Sequence, residues 1–378
     1  MEAVVVGAGI VGASCAFQLA HRGAKVTVLE RAPQPATGST AKSAAGLRHQ
    51  FSHPVNVRMS LHSSDFLRRF RSLTGHDPGF RESGYLFLIP PDLLGEWEGQ
   101  WELLRELGAP VEVLDPDELQ RRFPYLMSRG LASASFGPQD GVVDPHGITL
   151  GLLAAARERG AELVLGCEVV AARWRRGRWE VETTLGNHTA DLLVNAAGPW
   201  AGELASRAGL ELPVVPVRRM VFATAPFRPF PHPTPLIVDL DTGIYLRSEG
   251  ERFLFGRSNP DEPPGLQFAI DWSWLDQVIE LALPRFPFLE RAGLDRRACW
   301  TGHYAITPDH LPILGRVPGV EGFINACGFS GHGVQHAPAT GLIVAEEALD
   351  GRSTSFDLTD FRIERFASER AAREANIV

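Results

Sequence analysis

The chain's 378 residues leave room for two domains or one large elaborated one, and its 44% hydrophobic and 22% charged content is ordinary for a globular protein. A net charge of −8 and a pI near 5.9 leave no broad basic face, which argues against nucleic acid as a partner. No apolar run approaches the roughly 18 residues of a membrane span, and the apolar start reads as a strand rather than a signal peptide. Cys15, Cys167, Cys299 and Cys327 lie far apart with no C-x-x-C pair, so they read as reduced core residues and the expected location is cytoplasmic. Basic charge is almost all arginine; the lysines are Lys25 and Lys42.

The start of the chain is its most informative stretch. Val4 to Val6 reads as a buried parallel strand that runs into Gly7-x-Gly9-x-x-Gly12. Ala13 to His21 then reads as a helix closed by Gly23, and Val26 to Leu29 as a second strand ending at Glu30. Gly7 permits the tight turn, Gly9 lets the backbone approach a pyrophosphate, and Gly12 lets helix and strand pack closely. The helix start offers free N–H groups and a positive dipole end to phosphates, and Glu30 is placed to accept hydrogen bonds from a ribose. Strand, glycines, helix, strand and acid all agree on a dinucleotide-binding βαβ unit.

Residues 33–53 show no periodicity and are rich in small and hydroxyl side chains, which suits close backbone approach to a bulky cofactor; Arg48 and His49 stand out there as functional candidates. Pro54 to Thr74 is predicted as one helix with Phe66, Leu67, Phe70 and Leu73 on its stripe, Tyr85 to Ile89 as a strand, and Pro91 to Leu107 as a helix packing Leu94, Trp97, Trp101 and Leu104. A short helix follows Asp115, a strand covers Leu131 to Phe136, and Asp144 caps a helix to about Arg159 with Leu150, Leu153 and Ala154 inward. Residues 161–198 read as a strand meander with turns at Arg176-Gly177 and Gly186-Asn187, ending in the small-residue strand end Ala196-Ala197-Gly198-Pro199-Trp200. Prolines cluster at 226–235 and 263–264, Gly243–Arg247 and Arg252–Gly256 form a hairpin, and a helix starts at Trp272; this looks like a second, antiparallel domain inserted in the first. Near the end, Gly328, Ser330, Gly331 and Gly333 lead into a helix from about Pro338, a second place for backbone N–H groups to meet an anion or cofactor. His332 and His336 have the spacing of a helical metal pair, but glycines flank His332 and no acidic or cysteine ligand is near, so no metal site is expected.

These motifs resemble the D-amino-acid oxidase-type FAD-dependent oxidoreductases. The resemblance rests on Val5–Gly12, Gly38–Gly46, Asn195–Trp200, Trp300–Tyr304, Thr307–Gly315 and Gly328–Gly333, in family order over nearly the whole chain. Within that family the chain is most similar to the branch of sarcosine oxidases, dimethylglycine and sarcosine dehydrogenases and proline dehydrogenase β subunits. The implied fold is α/β (α+β overall): a discontinuous Rossmann-like FAD domain (1–84, 140–212, 299–378) with an inserted mixed or antiparallel-sheet substrate domain (85–139, 213–298).

The resemblance also implies site roles. FAD would meet Gly7, Gly9, Ile10, Val11, Gly12, Glu30 and Arg31 at its adenosine and pyrophosphate end, and Val169 through the backbone at the adenine. Ser39, Thr40, Lys42, Ser43, Ala45 and Gly46 would lie along it, with Ala196, Ala197, Gly198, Trp200, Gly302, Gly328, Ser330, Gly331, His332, Gly333, Val334 and Gln335. Arg48 falls where sarcosine oxidases hold the substrate carboxylate. Tyr304 falls where that branch has tyrosine and D-amino-acid and glycine oxidases have arginine, which points to secondary amines. Gln335 replaces the lysine of monomeric sarcosine oxidases, and Arg247 on the hairpin could supply the missing charge. Tyr245 and His332 complete the catalytic set.

At the two positions where relatives attach flavin covalently stand Gly302 and Ser43, so non-covalent FAD is expected. Leu254 stands where monomeric sarcosine oxidases promote reaction with oxygen through a lysine, which favours a dehydrogenase over an oxidase. The implied reaction is oxidation of a small N-methyl or cyclic amino acid to its imine. The alternatives are a D-amino-acid or glycine oxidoreductase and a flavin-binding assembly factor. The electron acceptor and homo- or hetero-oligomer formation stay open.

Overall fold

The computed structural model describes residues 1–230, 233–367 and 373–376; Pro231 of the predicted proline cluster lies outside them. A six-stranded sheet runs in the order Ile313–Val317, Val320–Cys327, Leu192–Asn195, Glu2–Val6, Lys25–Glu30, Glu162–Leu165. All its neighbours are parallel except the first pair. Glu2–Val6 is central, and its side chains alternate between two cores, as the pleat of a strand requires. Ala3 and Val5 face the helices Ile10–His21, Pro145–Arg157 and Gly333–Leu349. Val4 and Val6 face a three-stranded antiparallel layer, Val169–Arg175, Arg178–Thr183 and Gly186–Ala190, with Trp179, Val181 and Phe323. With both faces covered, the strand is apolar at every position after Glu2, which is why Val4 to Val6 reads as a continuous β-branched run.

The first helix lies tight against its strand. A Cβ on Gly12 would stand 1.9 Å from the Gly7 carbonyl oxygen, so no other residue fits without moving the helix. That contact aims the start of Ile10–His21 at the carboxyl ends of the parallel strands, where open α/β sheets bind ligands.

A second, eight-stranded sheet runs in the order Trp300–Ile306, Val215–Ala223, Arg252–Gly256, Ile244–Glu249, Leu236–Asp239, Tyr85–Ile89, Ser133–Gly137, Glu112–Leu114. Its neighbours are antiparallel except Leu236–Asp239 with Tyr85–Ile89. Trp300–Ile306, counted by sequence with the first unit, is its edge strand, pairing Gly302 with Arg219 and Tyr304 with Val217. One face packs the helix Trp272–Ala282 over Leu86, Phe222, Leu246 and Phe253. The other face roofs the carboxyl ends of the parallel sheet.

Four expectations need correction. The helix over 54–74 is broken at Arg69, whose φ −94 and ψ 0 lie outside helical geometry, into Pro54–Arg68 and Phe70–Thr74. On Pro145–Arg157 the buried face is Ile148, Leu152, Leu153, Ala155 and Ala156 while Leu150 is 40% exposed, because that face is the one packed on the first helix. Residues 161–198 are not one meander: Glu162–Leu165 and Leu192–Asn195 join the parallel sheet, and the turn falls at Thr184-Leu185 rather than Gly186-Asn187. The last helix begins at Gly333, with Pro338 inside it, because His336 already donates to the His332 carbonyl at 3.2 Å. No helix among the described residues is long and apolar enough to cross a membrane.

Candidate active site

Between the parallel sheet and the roof lies a cavity holding about 1640 Å³ of empty space, part of it open to solvent. Gly7, Gly9, Ile10, Val11, Glu30, Ala196, Ala197, Gly198 and Trp200 line one end. The Glu30 carboxylate accepts from the Ala8 and Ala32 N–H groups, both at 2.8 Å, which fixes it at the mouth of the glycine turn. The helix start at Gly9 carries no side-chain cap, and the Ile10 N–H is held by Thr40 Oγ1 at 3.0 Å. This is a cradle for a pyrophosphate beside an acceptor for ribose hydroxyls. Arg31 stacks on the Trp200 ring at 3.8 Å rather than lining the cavity.

The middle is wrapped by the 36–46 loop, which contributes Ser39, Thr40, Lys42, Ser43, Ala45 and Gly46. Ser39 Oγ donates to the His303 carbonyl at 2.7 Å and Trp300 Nε1 to the Lys42 carbonyl at 2.9 Å, tying the loop to the roof's edge strand. Of the five non-glycine residues with positive φ among the described residues, three (Ala36, Ala45 and Ser330) line this cavity, so strained backbone concentrates where close approach to a ligand is needed. Gly331 has the same function: a Cβ there would stand 2.6 Å from the Tyr304 ring. The uncapped start of Gly333–Leu349 opens into the same space, with Gly328, Ser330, Gly331, His332, Gly333, Val334 and Gln335 along the wall.

At the far end sit Arg48, Tyr85, Arg219, Tyr245 and Tyr304. Arg48 is 2% exposed. Its backbone N–H donates to Gln335 Oε1 at 2.9 Å, Nη1 to the Gln50 carbonyl at 3.0 Å, and Nη2 to His332 Nε2 at 3.2 Å and to the Asn376 carbonyl. Its Cζ stands 4.3 Å from the Phe51 ring centroid. Among the described residues no carboxylate lies within ion-pair distance of it. Residues 373–376 pack beside it: Glu374 accepts from Ser52, His53 and Asn56, and is fully buried. Burial raises the tyrosine hydroxyls, Tyr85 to about 12 and Tyr245 further, with Tyr304 also raised against the opposing charges of Arg219 and Arg48. All three stay protonated at neutral pH.

Some expected residues lie elsewhere. Gly12 sits behind the lining, where it spaces helix from strand. Val169 is buried outside the cavity with its carbonyl accepting from Arg207. Arg247 is tied to Glu249 and to the Ser248 carbonyl and is not part of the wall. His49 pairs with buried Asp140 at 2.6 Å, a structural contact away from the cavity. The sequence reading missed Tyr85, Arg219, Leu236, Arg257 and His303, which come to the wall through strand pairing distant in sequence. Alternation along Val215–Ala223 was the available signal for Arg219.

A glycine turn, a braced ribose acceptor and two uncapped helix starts on one elongated cavity define a dinucleotide-binding α/β protein. The family described as FAD dependent oxidoreductase matches residues 2–347, and the chain belongs to it, the D-amino-acid oxidase-type FAD-dependent oxidoreductases. Its cofactor is FAD, and the residues of the glycine turn, the 36–46 loop and the last helix start are the ones that would hold it. FAD-dependent oxidoreductase domain-containing protein 1 of Xenopus laevis is 33% identical over 100% of this chain and 85% of that one. The mitochondrial dimethylglycine dehydrogenase of Homo sapiens is 31% identical over 99% of this chain, which spans 46% of that enzyme. L-proline dehydrogenase from P. horikoshii superposes with a TM-score of 0.91, at 29% identity, over 98% of each chain.

Two histidines make acid a test of this packing. Burial, with the Arg48 charge as second cause, holds His336 down from 6.5 to about 3 and His332 well below its ordinary value. The unfolded chain gains these protons as pH falls through about 6.5, while folded His336 gains its proton only near 3. Their contribution to stability is therefore complete above that upper value and is lost as pH falls toward the lower one. His336→Gln cannot titrate there, so its unfolding free energy should fall less steeply with acid across this window than that of the parent. Parallel slopes in urea titrations at several pH values would contradict the assignment.

Proposed function

We propose that the chain oxidises a small secondary amino acid, N-methyl or cyclic, to its imine, with FAD held non-covalently. The observation that carries this is the buried Arg48 guanidinium. It lines the cavity, is bonded only to neutral acceptors among the described residues, and so is a desolvated positive charge suited to a carboxylate. Tyr85, Tyr245 and Tyr304 supply apolar faces around it for a small substituted amine. The names of two relatives agree: dimethylglycine and L-proline are both amino acids substituted on nitrogen.

FAD, when bound, supplies the two-electron acceptor for the hydride leaving the α-carbon. Arg48 fixes the carboxylate and with it the position of the α-carbon, so that catalysis is chiefly positioning. His332, kept neutral, accepts from Arg48 and adds no competing positive charge. The protonated tyrosines close the space against water. No strong base is required when the amine binds neutral. The uncapped start of Gly333–Leu349 stabilises negative charge that develops beside it. The imine product is hydrolysed by water.

Three outcomes follow. A Cβ at Gly302 would stand 2.8 Å from that of Lys42, and none of the four cysteines lines the cavity. Acid precipitation should therefore leave all yellow colour in the supernatant; colour in the washed pellet would mean a covalent bond. Arg48→Ala should raise KM for an amino acid far more than for the same amine lacking its carboxylate, since truncating one partner of a buried pair costs on the order of 2–5 kcal/mol. Equal effects on both, or a variant that cannot retain FAD, would instead mark Arg48 as a brace for loop carbonyls.

The third outcome concerns the electron acceptor, with dehydrogenase favoured over oxidase. Leu254 is buried on the roof, Lys25 is paired with Glu2 at 3.0 Å, and Lys42 is the lysine among the lining residues, on the 36–46 loop rather than the roof. In stopped-flow mixing, substrate-reduced protein should pass electrons to a quinone or dye faster than to oxygen. Reoxidation by oxygen at least as fast as by the best dye would reverse that preference, and Lys42 would be the first residue to replace.

A further inference from the structure

The charges along the cavity are unevenly divided. Glu30 is the acidic side chain among its lining residues, and it lies at the glycine-turn end, spent on two backbone N–H groups. Three guanidiniums also line the cavity, Arg48, Arg219 and Arg257, and the Nε of Arg257 is taken by the Thr242 carbonyl at 2.6 Å. Arg48 and Arg219 both oppose the rise in the Tyr304 hydroxyl, so Tyr304 stands close to each. Arg219 comes from the strand Val215–Ala223, opposite Gly302 on the edge strand, with its Cζ 5.0 Å from the centroid of the Tyr304 ring. Strand alternation sends its neighbour Arg218 to the other face, where Arg218 takes Glu262 at 2.8 Å. That pairing leaves no carboxylate at ion-pair distance from Arg219 among the described residues. Its Nη1 donates to the Arg218 carbonyl at 2.9 Å, and its Nε is buried with no hydrogen-bond partner.

A buried guanidinium donor without a partner is costly unless something completes it, since it has lost its hydrogen bonds to water and gained none in exchange. Arg48 has its two terminal nitrogens occupied by carbonyls and a histidine, and Arg219 does not. We infer that Arg219 is a second carboxylate-binding group, and that the preferred substrate is an N-substituted amino acid carrying two acidic groups. This deepens the reading above and rests on it: one carboxylate meets Arg48, the second meets Arg219, and the amine lies between them under the tyrosines. A planar fork suits a carboxylate better than a lysine would, which favours arginine at both ends.

The test uses the FAD-loaded protein and two inert thioethers that replace the amine by sulfur, thiodiacetate with two carboxylates and (methylthio)acetate with one. Binding is read by calorimetry and by perturbation of the flavin spectrum. The diacid should bind roughly thirtyfold more tightly, the size expected for one buried charge pair. Arg219→Met should weaken the diacid far more than the monoacid, and Arg219→Lys should recover part of the loss. Equal affinity of the two thioethers for the unaltered protein overturns the inference, and that comparison stands even if the variants fail to fold. Equal weakening of both ligands in Arg219→Met overturns it too, leaving a structural arginine. Anaerobic reduction of the flavin separates the two levels. Bleaching by N-methylalanine as readily as by N-methylaspartate removes the second carboxylate and leaves the amino-acid reading intact. Bleaching by neither removes both.

Discussion

A buried positive charge organises the far end of the cavity. Arg48 is almost wholly removed from water, yet its acceptors are carbonyls and an imidazole rather than a carboxylate. Its bonds join four parts of the chain: the end of the 36–46 loop, the Gln50 turn, the first turn of the last helix and residues 373–376. Burial, with the same charge as second cause, keeps His332 and His336 neutral, and Phe51 packs against both rings at 5.0 Å. An uncompensated cation in a low-dielectric site has a strong preference for a bound anion. That preference connects the packing of this region to the substrate proposed for it.

The opposite end of the cavity is built on a steric constraint. Gly12 allows helix and strand to touch, and this sets the helix start, Glu30 and the Ala196–Gly198 strand end around one turn. The cavity is thus an acceptor and free N–H groups at one end and guanidiniums at the other. FAD fits the first arrangement by the chemistry of its ribose and pyrophosphate. The substrate proposed for the second arrangement is anionic and small.

Much of this was legible because the signals are local. The glycine spacing, the β-branched strand and Glu30 lie within thirty residues and depend only on each other. The Tyr245 hairpin and the caps at Asp115 and Asp144 follow the same logic, each cap accepting from the first turn of its helix. Features set by pairing at a distance were harder to read. Arg219 faces the cavity because its strand pairs with Trp300–Ile306 in one register, and a shift by one residue would have put Arg218 there instead. Which face of Pro145–Arg157 is buried was decided by the helix it meets, not by its own periodicity. Arg247 is a different case: Glu249 lies two residues along the same strand, therefore on the same face, and the pairing that occupies Arg247 could have been foreseen.

The central claim is that a carboxylate beside a substituted amine is what this cavity recognises and oxidises. The direct measurement is the flavin absorbance of the FAD-loaded protein under anaerobic conditions during titration with N-methyl and cyclic amino acids, and with the same amines lacking the carboxylate. The account predicts rapid bleaching by the amino acids and little or none by the decarboxylated amines. Absence of bleaching by every secondary amino acid, or equal bleaching by the decarboxylated amines, would contradict it.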